Sequence, residues 1–362
     1  MTVDSPVTAS LDLAAVGSAV DRALEGFLAR KKREAHALRM PGEVHQALSD
    51  FLFAGGKRVR PLLCAAGWYA AGGDPSVPVP VLTAAASLEM FHTFALIHDD
   101  VMDRSDTRRG RATVHRTLSA LYGAGRSQEA ADRIGAAAAI LIGDLAMVWS
   151  DELLTGAGLT PRQLAAALPI VRTMRTEVMY GQYLDVVAGT SPRGDLDRAL
   201  RVIRYKTAKY TVEAPLHLGA ALAGAGAAVC GALTAYALPL GEAFQLRDDL
   251  LGVFGSPTAT GKSRLDDLRD GKRTLLLELA HQRADAEQRR TLLTLVGDPL
   301  LDEDGAARVR GVLDRTGARV AVEELIRDRR EQALHAMDDA PFRADAVALL
   351  QRFARTATIR SA

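Results

Sequence analysis

Apolar positions recur at helical spacing from residue 11 to about 39, with Lys31-Lys32-Arg33-Glu34 on the outer side. Residues 41–53 repeat the pattern. Gly55-Gly56-Lys57-Arg58-Val59-Arg60-Pro61 predicts a loop leading into a helix over 62–71, and Gly72-Gly73-Asp74-Pro75 predicts a turn. Residues 79 to about 106 read as one long apolar helix, and 107–111 as a polar loop. Further helices are predicted at about 128–156, 161–188, 195–223, 227–254, 274–282, 284–296, 302–316, 318–338 and 341–356, with Pro161, Pro192 and Pro257 near the breaks. The sequence has no βαβ rhythm, no evident repeat and no linker long enough to divide it. The expectation is an all-α fold: a single large helical domain over 11–362 behind a flexible tail of residues 1–10.

Composition agrees. The 362 residues are 48% hydrophobic, 25% charged and only 5% aromatic, an Ala- and Leu-rich mixture that favours helices. A net charge of +1 gives no footprint for nucleic acid. Cys64 and Cys230 can form neither a disulfide framework nor a Cys-x-x-Cys metal motif, which fits a reducing cytoplasm. The first residues lack the basic start and apolar core of a signal peptide. Residues 214–241 carry no Asp, Glu, Lys or Arg. They are long enough to span a bilayer but rich in Ala and Gly, with His217 inside and Pro239 near the end. Two buried helices are expected there, not a membrane span.

Two carboxylate clusters interrupt apolar surroundings: Asp99-Asp100-Val101-Met102-Asp103 and Asp248-Asp249. Asp99 and Asp103 are four apart and share a helix face. Carboxylates so placed repel and are costly to bury unless a cation satisfies them. Mg²⁺ would do so: it prefers oxygen ligands and is completed by waters and substrate phosphates. Cations accompany the acids. Lys57, Arg58 and Arg60 follow a glycine pair, Arg108 and Arg109 follow the first cluster, and Lys206-Thr207, Lys262, Lys272 and Arg273 come later. Arg forks and Lys point charges are the usual grips on a diphosphate. His92 lies seven residues before Asp99, near the same face. It is either an ordinary core histidine or a donor to phosphate. There is no phosphate-binding Gly-x-x-x-x-Gly-Lys-Ser/Thr loop, no zinc-ligand spacing and no Gly-x-Ser-x-Gly nucleophile.

In this order the pieces resemble the trans-isoprenyl diphosphate synthases, the polyprenyl synthetase family. Gly55 to Pro61 is similar to its GGKRxRP. Asp99 to Asp103 with Arg108-Arg109-Gly110 is similar to its first aspartate-rich motif and the RRG that follows. Gly143-Asp144, Gly181-Gln182-Tyr183-Leu184-Asp185, Lys206-Thr207, Phe244-Gln245 with Asp248-Asp249, Gly261-Lys262 and Gly271-Lys272 complete the match. The resemblance implies an all-α bundle around a deep central cavity, commonly a homodimer. It implies that Asp99, Asp103 and Asp248 hold several Mg²⁺ ions on an allylic diphosphate (dimethylallyl, geranyl or farnesyl), with Asp100 and Asp249 in support. Arg108, Lys206, Thr207, Gln245, Lys262 and Lys272 would bind that diphosphate. Lys57, Arg60, His92 and Arg109 would bind isopentenyl diphosphate.

Chemistry of this kind needs no side-chain nucleophile. Metal and cations neutralise the departing diphosphate, the allylic C–O bond opens toward a carbocation, and the isopentenyl double bond attacks it. An apolar cavity keeps water from the cation. The resemblance also implies that residues upstream of Asp99 set product length: Phe94, about 7.5 Å deeper at helical rise, and Ala95. Resemblance to family members with one aromatic at this depth implies a C20 product, geranylgeranyl diphosphate; C15, or C25 and longer, are the alternatives. Phe94 also has a reading as core packing alone. Other classes remain as rivals, a terpene cyclase and a non-catalytic partner subunit. Three departures from the family pattern stand out. Gly252 occupies the place of a third Asp in the second motif, Ser256 precedes Pro257, and Ser263 and Leu265 replace a common Pro and Gly. The first implies weaker metal coordination at the second cluster.

Overall fold

The side chain of Asp12 accepts the backbone N–H groups of Ala14 and Ala15 and starts α1 (Leu13–Ala37). The computed structural model describes residues 10–190, 192–255 and 264–358, and these are overwhelmingly helical. Most of the expected 1–10 tail, residues 1–9, lies outside the described residues, as do Ser256, Pro257, Gly261, Lys262 and Ser263. After α1 come α2 (Gly42–Leu52), α3 (Val59–Ala70) and α4 (Val79–Met102). A two-strand ribbon, β1 (Thr107–Arg108) with β2 (Arg111–Ala112), leads to α5 (Val114–Tyr122), α6 (Gln128–Thr155) and α7 (Pro161–Val186). Thr160 and Gln163 close a capping box over the start of α7, with Pro161 at its first position.

α4 packs on α6, α3 and α1, and is buried on several faces, from Val81 through Phe91 to Ile97. Each large apolar side chain so enclosed contributes about 1.5–3 kcal/mol. The expected 195–223 helix is three elements: α8 (Leu196–Val202), a π-helical segment (Ile203–Glu213) and α9 (Ala214–Leu222). Small residues let that segment lie between α7 and α10 (Ala227–Phe254). A Cβ on Gly181 would come within 2.5 Å of the Lys206 nitrogen, and one on Gly241 within 2.4 Å of the Ala208 Cα. The second half adds α11 (Asp266–Arg269), α12 (Leu275–Arg283), α13 (Ala286–Leu295), α14 (Glu303–Arg315), α15 (Ala318–His335) and α16 (Ala344–Thr358). Buried apolar side chains form two clusters, one around α1, α3, α4 and α6, the other around α12, α14 and α15, and α10 contributes to both.

The helix expected to reach residue 106 ends at Met102. Asp103 caps it, Arg104 takes the left-handed conformation at φ 53°, and the Ser105 N–H closes back on the Asp100 carbonyl. The expected polar loop is the tight ribbon instead, with Arg109 and Gly110 both at positive φ as its turn requires. The short helix α5 has no counterpart in the sequence reading, although Val114, Leu118 and Tyr122 are spaced for it. The uncharged 214–241 stretch divides between α9 and α10, with a break at 223–226. By length and composition α4, α6 and α10 could each cross a membrane. Cys64 and Cys230 are both free; burial pushes the Cys64 thiol up to about 12.

Candidate active site

α4 and α10 deliver the two acidic clusters to a common cavity of about 990 Å³. Asp103, Asp248 and Asp249 line it, with Lys57, Arg108, Lys206, Thr207, Gln245 and Lys272. The first cluster is graded in burial. Asp100 is buried and accepts from Arg108 Nε at 2.7 Å. Asp99 accepts from Arg108 Nη2 at 3.3 Å, Lys206 Nζ at 3.1 Å and Gln182 Nε2 at 3.0 Å. Burial pushes Asp99 up, but Lys206 and Arg108 outweigh it and leave the carboxyl below its usual range. Asp103 receives no hydrogen bond on its side chain from the described residues. Burial, and then Asp99, push it up to about 6 against the pull of Lys272 and Lys206.

Lys206 projects from the π-helical segment and bridges Asp99 to Asp185 at 2.6 Å. Burial would lower its pKa; Asp185 and Asp99 raise it further, so it stays charged. The neighbouring Thr207 hydroxyl donates to Gln245 Oε1 at 2.6 Å, and Gln245 Nε2 donates to Asp249 Oδ1 at 2.7 Å. Asp249 is pushed up to about 7, by burial first, with Asp267 and Asp248 adding to it against the Gln245 hydrogen bond. Lys272 pairs with Asp267 at 2.8 Å; burial opposes its charge, but Asp267 outweighs it and holds its pKa well above the ordinary lysine value.

The basic residues after the glycine pair divide. Arg58 turns inward at φ 47°, bonds Asp21 at 2.8 Å and Glu89 at 3.0 Å, and donates to the Leu52 carbonyl at 3.0 Å. It is a structural clamp between α1, the end of α2 and α4. Lys57 stays exposed at the cavity wall. Arg60 lies over the Tyr210 ring, 4.3 Å from its centroid, and donates to Thr211 Oγ1 at 2.7 Å. Arg109, at the ribbon's turn, donates to the Gly55 carbonyl, so the RRG and the glycine pair meet. His92 Nδ1 lies 3.2 Å from the Tyr210 hydroxyl. Burial and then Arg60, Arg108, Arg109 and Arg58 hold this histidine well below its ordinary pKa, so it is neutral. Arg60, His92 and Arg109 do not line the wide cavity.

Phe94 packs beside Phe91, ring centroids 5.1 Å apart, and His98 meets it edge-on at 4.6 Å. Neither Phe94 nor Ala95 lines the wide cavity. Gly143 makes room for His98, since a Cβ there would lie 2.3 Å from its ring, and His98 Nε2 lies 3.0 Å from the Ile140 carbonyl. The Gly143-Asp144 pair thus shapes the packing of α6 on α4. Three residues enter that the sequence reading does not assign to the site: Gln182 and Asp185, whose signature is visible there, and Asp267, whose role is not. A Cβ on Gly252 would lie 1.9 Å from Asp267 Oδ2. The space left by the motif's missing third side chain is filled by this carboxylate.

Could these residues hold Mg²⁺? The donor set is all oxygen. Burial first, and neighbouring carboxylates after it, raise the carboxyls of Asp103 and Asp249, and a bound cation would offset both costs. Among the described residues no three His, Cys, Asp or Glu converge as a closed metal site. Mg²⁺ in general takes one or two carboxylates and is completed by phosphate and water.

The site is an all-α bundle that brings two aspartate clusters and several cations, Lys57, Arg108, Lys206 and Lys272, to one cavity. The polyprenyl synthetase family model matches residues 42–310, and the chain belongs to that family. It is a trans-prenyl diphosphate synthase. It is 34% identical over 301 residues to geranylfarnesyl diphosphate synthase of Aeropyrum pernix, covering 83% of this chain and 89% of the relative. It is 36% identical over 267 residues to (2E,6E)-farnesyl diphosphate synthase of Mycobacterium tuberculosis, covering 73% and 68%. The crystal structure of geranylgeranyl pyrophosphate synthase from Corynebacterium glutamicum, complexed with isoprenyl diphosphate and magnesium, superposes with a TM-score of 0.92 at 39% identity, covering 97% and 100%.

Proposed function

We propose that this synthase condenses isopentenyl diphosphate with an allylic diphosphate in the presence of Mg²⁺ and stops at C20, geranylgeranyl diphosphate. One observation carries the reading: Asp103 and Asp248, far apart in sequence, line one cavity with Lys206, Gln245 and Lys272. Asp99, Asp103 and Asp248 would hold Mg²⁺, and bound Mg²⁺ would supply charge to stabilise the departing diphosphate. Asp100 orients Arg108, and Asp249 is tied through Gln245 to Thr207. Asp267 supplies the carboxylate that Gly252 lacks. Arg108, Lys206, Thr207, Gln245, Lys262 and Lys272 receive the allylic diphosphate, while Lys57, Arg60, His92 and Arg109 receive isopentenyl diphosphate. The proton lost after C–C bond formation goes to the released diphosphate.

Phe94 supports the C20 assignment by its bulk beside Phe91 and His98, and the name of the Corynebacterium protein agrees with it. A homodimer is supported by the outward Ile140, Leu141 and Val148 of α6 and Met179, Tyr180 and Tyr183 of α7, a surface a second copy would cover. We read the chain as a single cytoplasmic domain without a membrane span: α4 and α10 carry the acidic clusters themselves, and α6 packs along α4. A terpene cyclase would not need the second basic set, and a non-catalytic subunit would have lost the acids. The test is incubation of purified enzyme with isopentenyl diphosphate, each allylic starter and Mg²⁺, with an EDTA control and products sized by chromatography. Predominantly C15 or C30 products refute the C20 assignment; no condensation refutes the reaction.

A further inference from the structure

Tyr210 stands where Arg60 and His92 meet. Only 4% of it is exposed, and it sits in the π-helical segment one turn beyond Lys206. Its hydroxyl lies 3.2 Å from His92 Nδ1, its face carries the Arg60 guanidinium at 4.3 Å, and Phe91 meets its ring edge-on at 5.9 Å. The next residue, Thr211, accepts the Arg60 Nη2 hydrogen bond.

The direction of the Tyr210 hydrogen bond follows from the donor inventory. A buried hydroxyl proton left without an acceptor is costly. Arg60 has donors only. Among the described residues, His92 Nδ1 is the acceptor within hydrogen-bonding distance of the Tyr210 oxygen. Nδ1 therefore carries the lone pair, and the ring proton sits on Nε2. Among the described residues no protein group pairs with that Nε2–H, which is left to donate to an anion. Protonating Nδ1 as well as Nε2 would place a second cation against Arg60, and either that form or the neutral Nδ1–H tautomer would leave the Tyr210 proton unplaced.

We propose that Tyr210 is a positioning residue for isopentenyl diphosphate: its hydroxyl fixes His92 as the neutral Nε2–H tautomer, while its ring holds Arg60 in place. One diphosphate then meets a neutral donor and a cation presented by a single buried side chain. This deepens the function proposed above and rests on its assignment of Arg60 and His92 to isopentenyl diphosphate.

Full-length Tyr210→Phe keeps the ring under Arg60 and removes the hydroxyl. In ¹⁵N-histidine-labelled wild-type enzyme, long-range ¹⁵N–¹H correlation, assigned with His92→Gln, is expected to show the Nε2–H pattern for His92. In Tyr210→Phe that pattern gives way to mixed tautomers. The KM for isopentenyl diphosphate rises roughly fivefold, as for one lost hydrogen bond. The KM for the allylic substrate stays within about twofold, a split that general loosening would not produce. Tyr210→Leu, which also removes the shelf under Arg60, raises the isopentenyl KM further. An Nδ1–H pattern for His92 in the wild type overturns the inference without any variant, should Tyr210→Phe fail to fold. Equal KM changes for both substrates, or none, also overturn it. If wild-type enzyme condenses normally with His92 as Nδ1–H, this inference alone falls. If wild-type enzyme does not condense isopentenyl diphosphate, the assigned function falls and takes the inference with it.

Discussion

Gly252 and Asp267 compete for one volume: a Cβ on the glycine would lie 1.9 Å from Asp267 Oδ2. Asp267 in turn holds Lys272 at 2.8 Å and raises the carboxyl of Asp249. The second acidic cluster is therefore completed from α11, not from the helix that carries Asp248 and Asp249.

Replacing Gly252 should displace that carboxylate. Gly252→Ala is expected to lower stability by about 1–3 kcal/mol, the usual cost of overpacking. Gly252→Asp should also lower kcat/KM, by roughly tenfold or more for a disturbed charge-stabilising group. The double variant Gly252→Asp with Asp267→Gly moves the carboxylate back to α10 and should recover part of both losses. Urea unfolding and steady-state kinetics check this; additive losses in the double variant would count against a shared volume.

Asp249 gives a pH dependence with a definite sign. Its folded pKa, about 7, lies above the ordinary 3.8, so between these values the native state binds more protons than the unfolded chain. Its stabilising contribution is complete below about pH 4 and is lost as pH rises through 7. In metal-free, substrate-free enzyme, Asp249→Asn should flatten the fall in Tm between pH 5 and pH 8, and should raise Tm at pH 8. Scanning calorimetry in EDTA measures it; an unchanged slope would show that Asp249 is not the group responsible.

Neighbouring basic residues should fail in different ways. Arg58→Ala leaves Glu89 buried without its partner and should cost about 3–5 kcal/mol. Lys57→Ala removes an exposed side chain from the cavity wall. It should leave Tm nearly unchanged while raising the KM for isopentenyl diphosphate. Thermal melts alongside KM values separate the two roles, and a large Tm loss for Lys57→Ala would contradict this division.

Phe94→Ala should lengthen the product beyond C20 if the ring limits growth of the chain. Removing a partly buried Phe also costs stability, at most about 3–5 kcal/mol. Reversed-phase sizing of the products decides the matter: a lower Tm with unchanged product length would leave Phe94 a core residue beside Phe91 and His98.

Much of the site was legible because its motifs are local. Asp99 and Asp103 share a face through four-residue spacing, and the acids could not be solvated cheaply within an apolar run. Arg58, Arg60 and Lys57 looked alike because a sequence of charges carries no direction. The left-handed backbone at Arg58 turns one of them inward. Asp267 was not assigned because its partner, Gly252, is a residue without a side chain to announce a role.

The sequence by itself determined the helical class, the two acidic clusters and the cations that answer them, since helical period and motif spacing are properties of neighbours along the chain. Tertiary structure decided which of those groups share a space. The π-helical segment, seated on Gly181 and Gly241, sets where Lys206, Thr207 and Tyr210 point, and the gap at Gly252 admits Asp267. Both outcomes depend on the excluded volume between elements distant in sequence, which local pattern cannot encode.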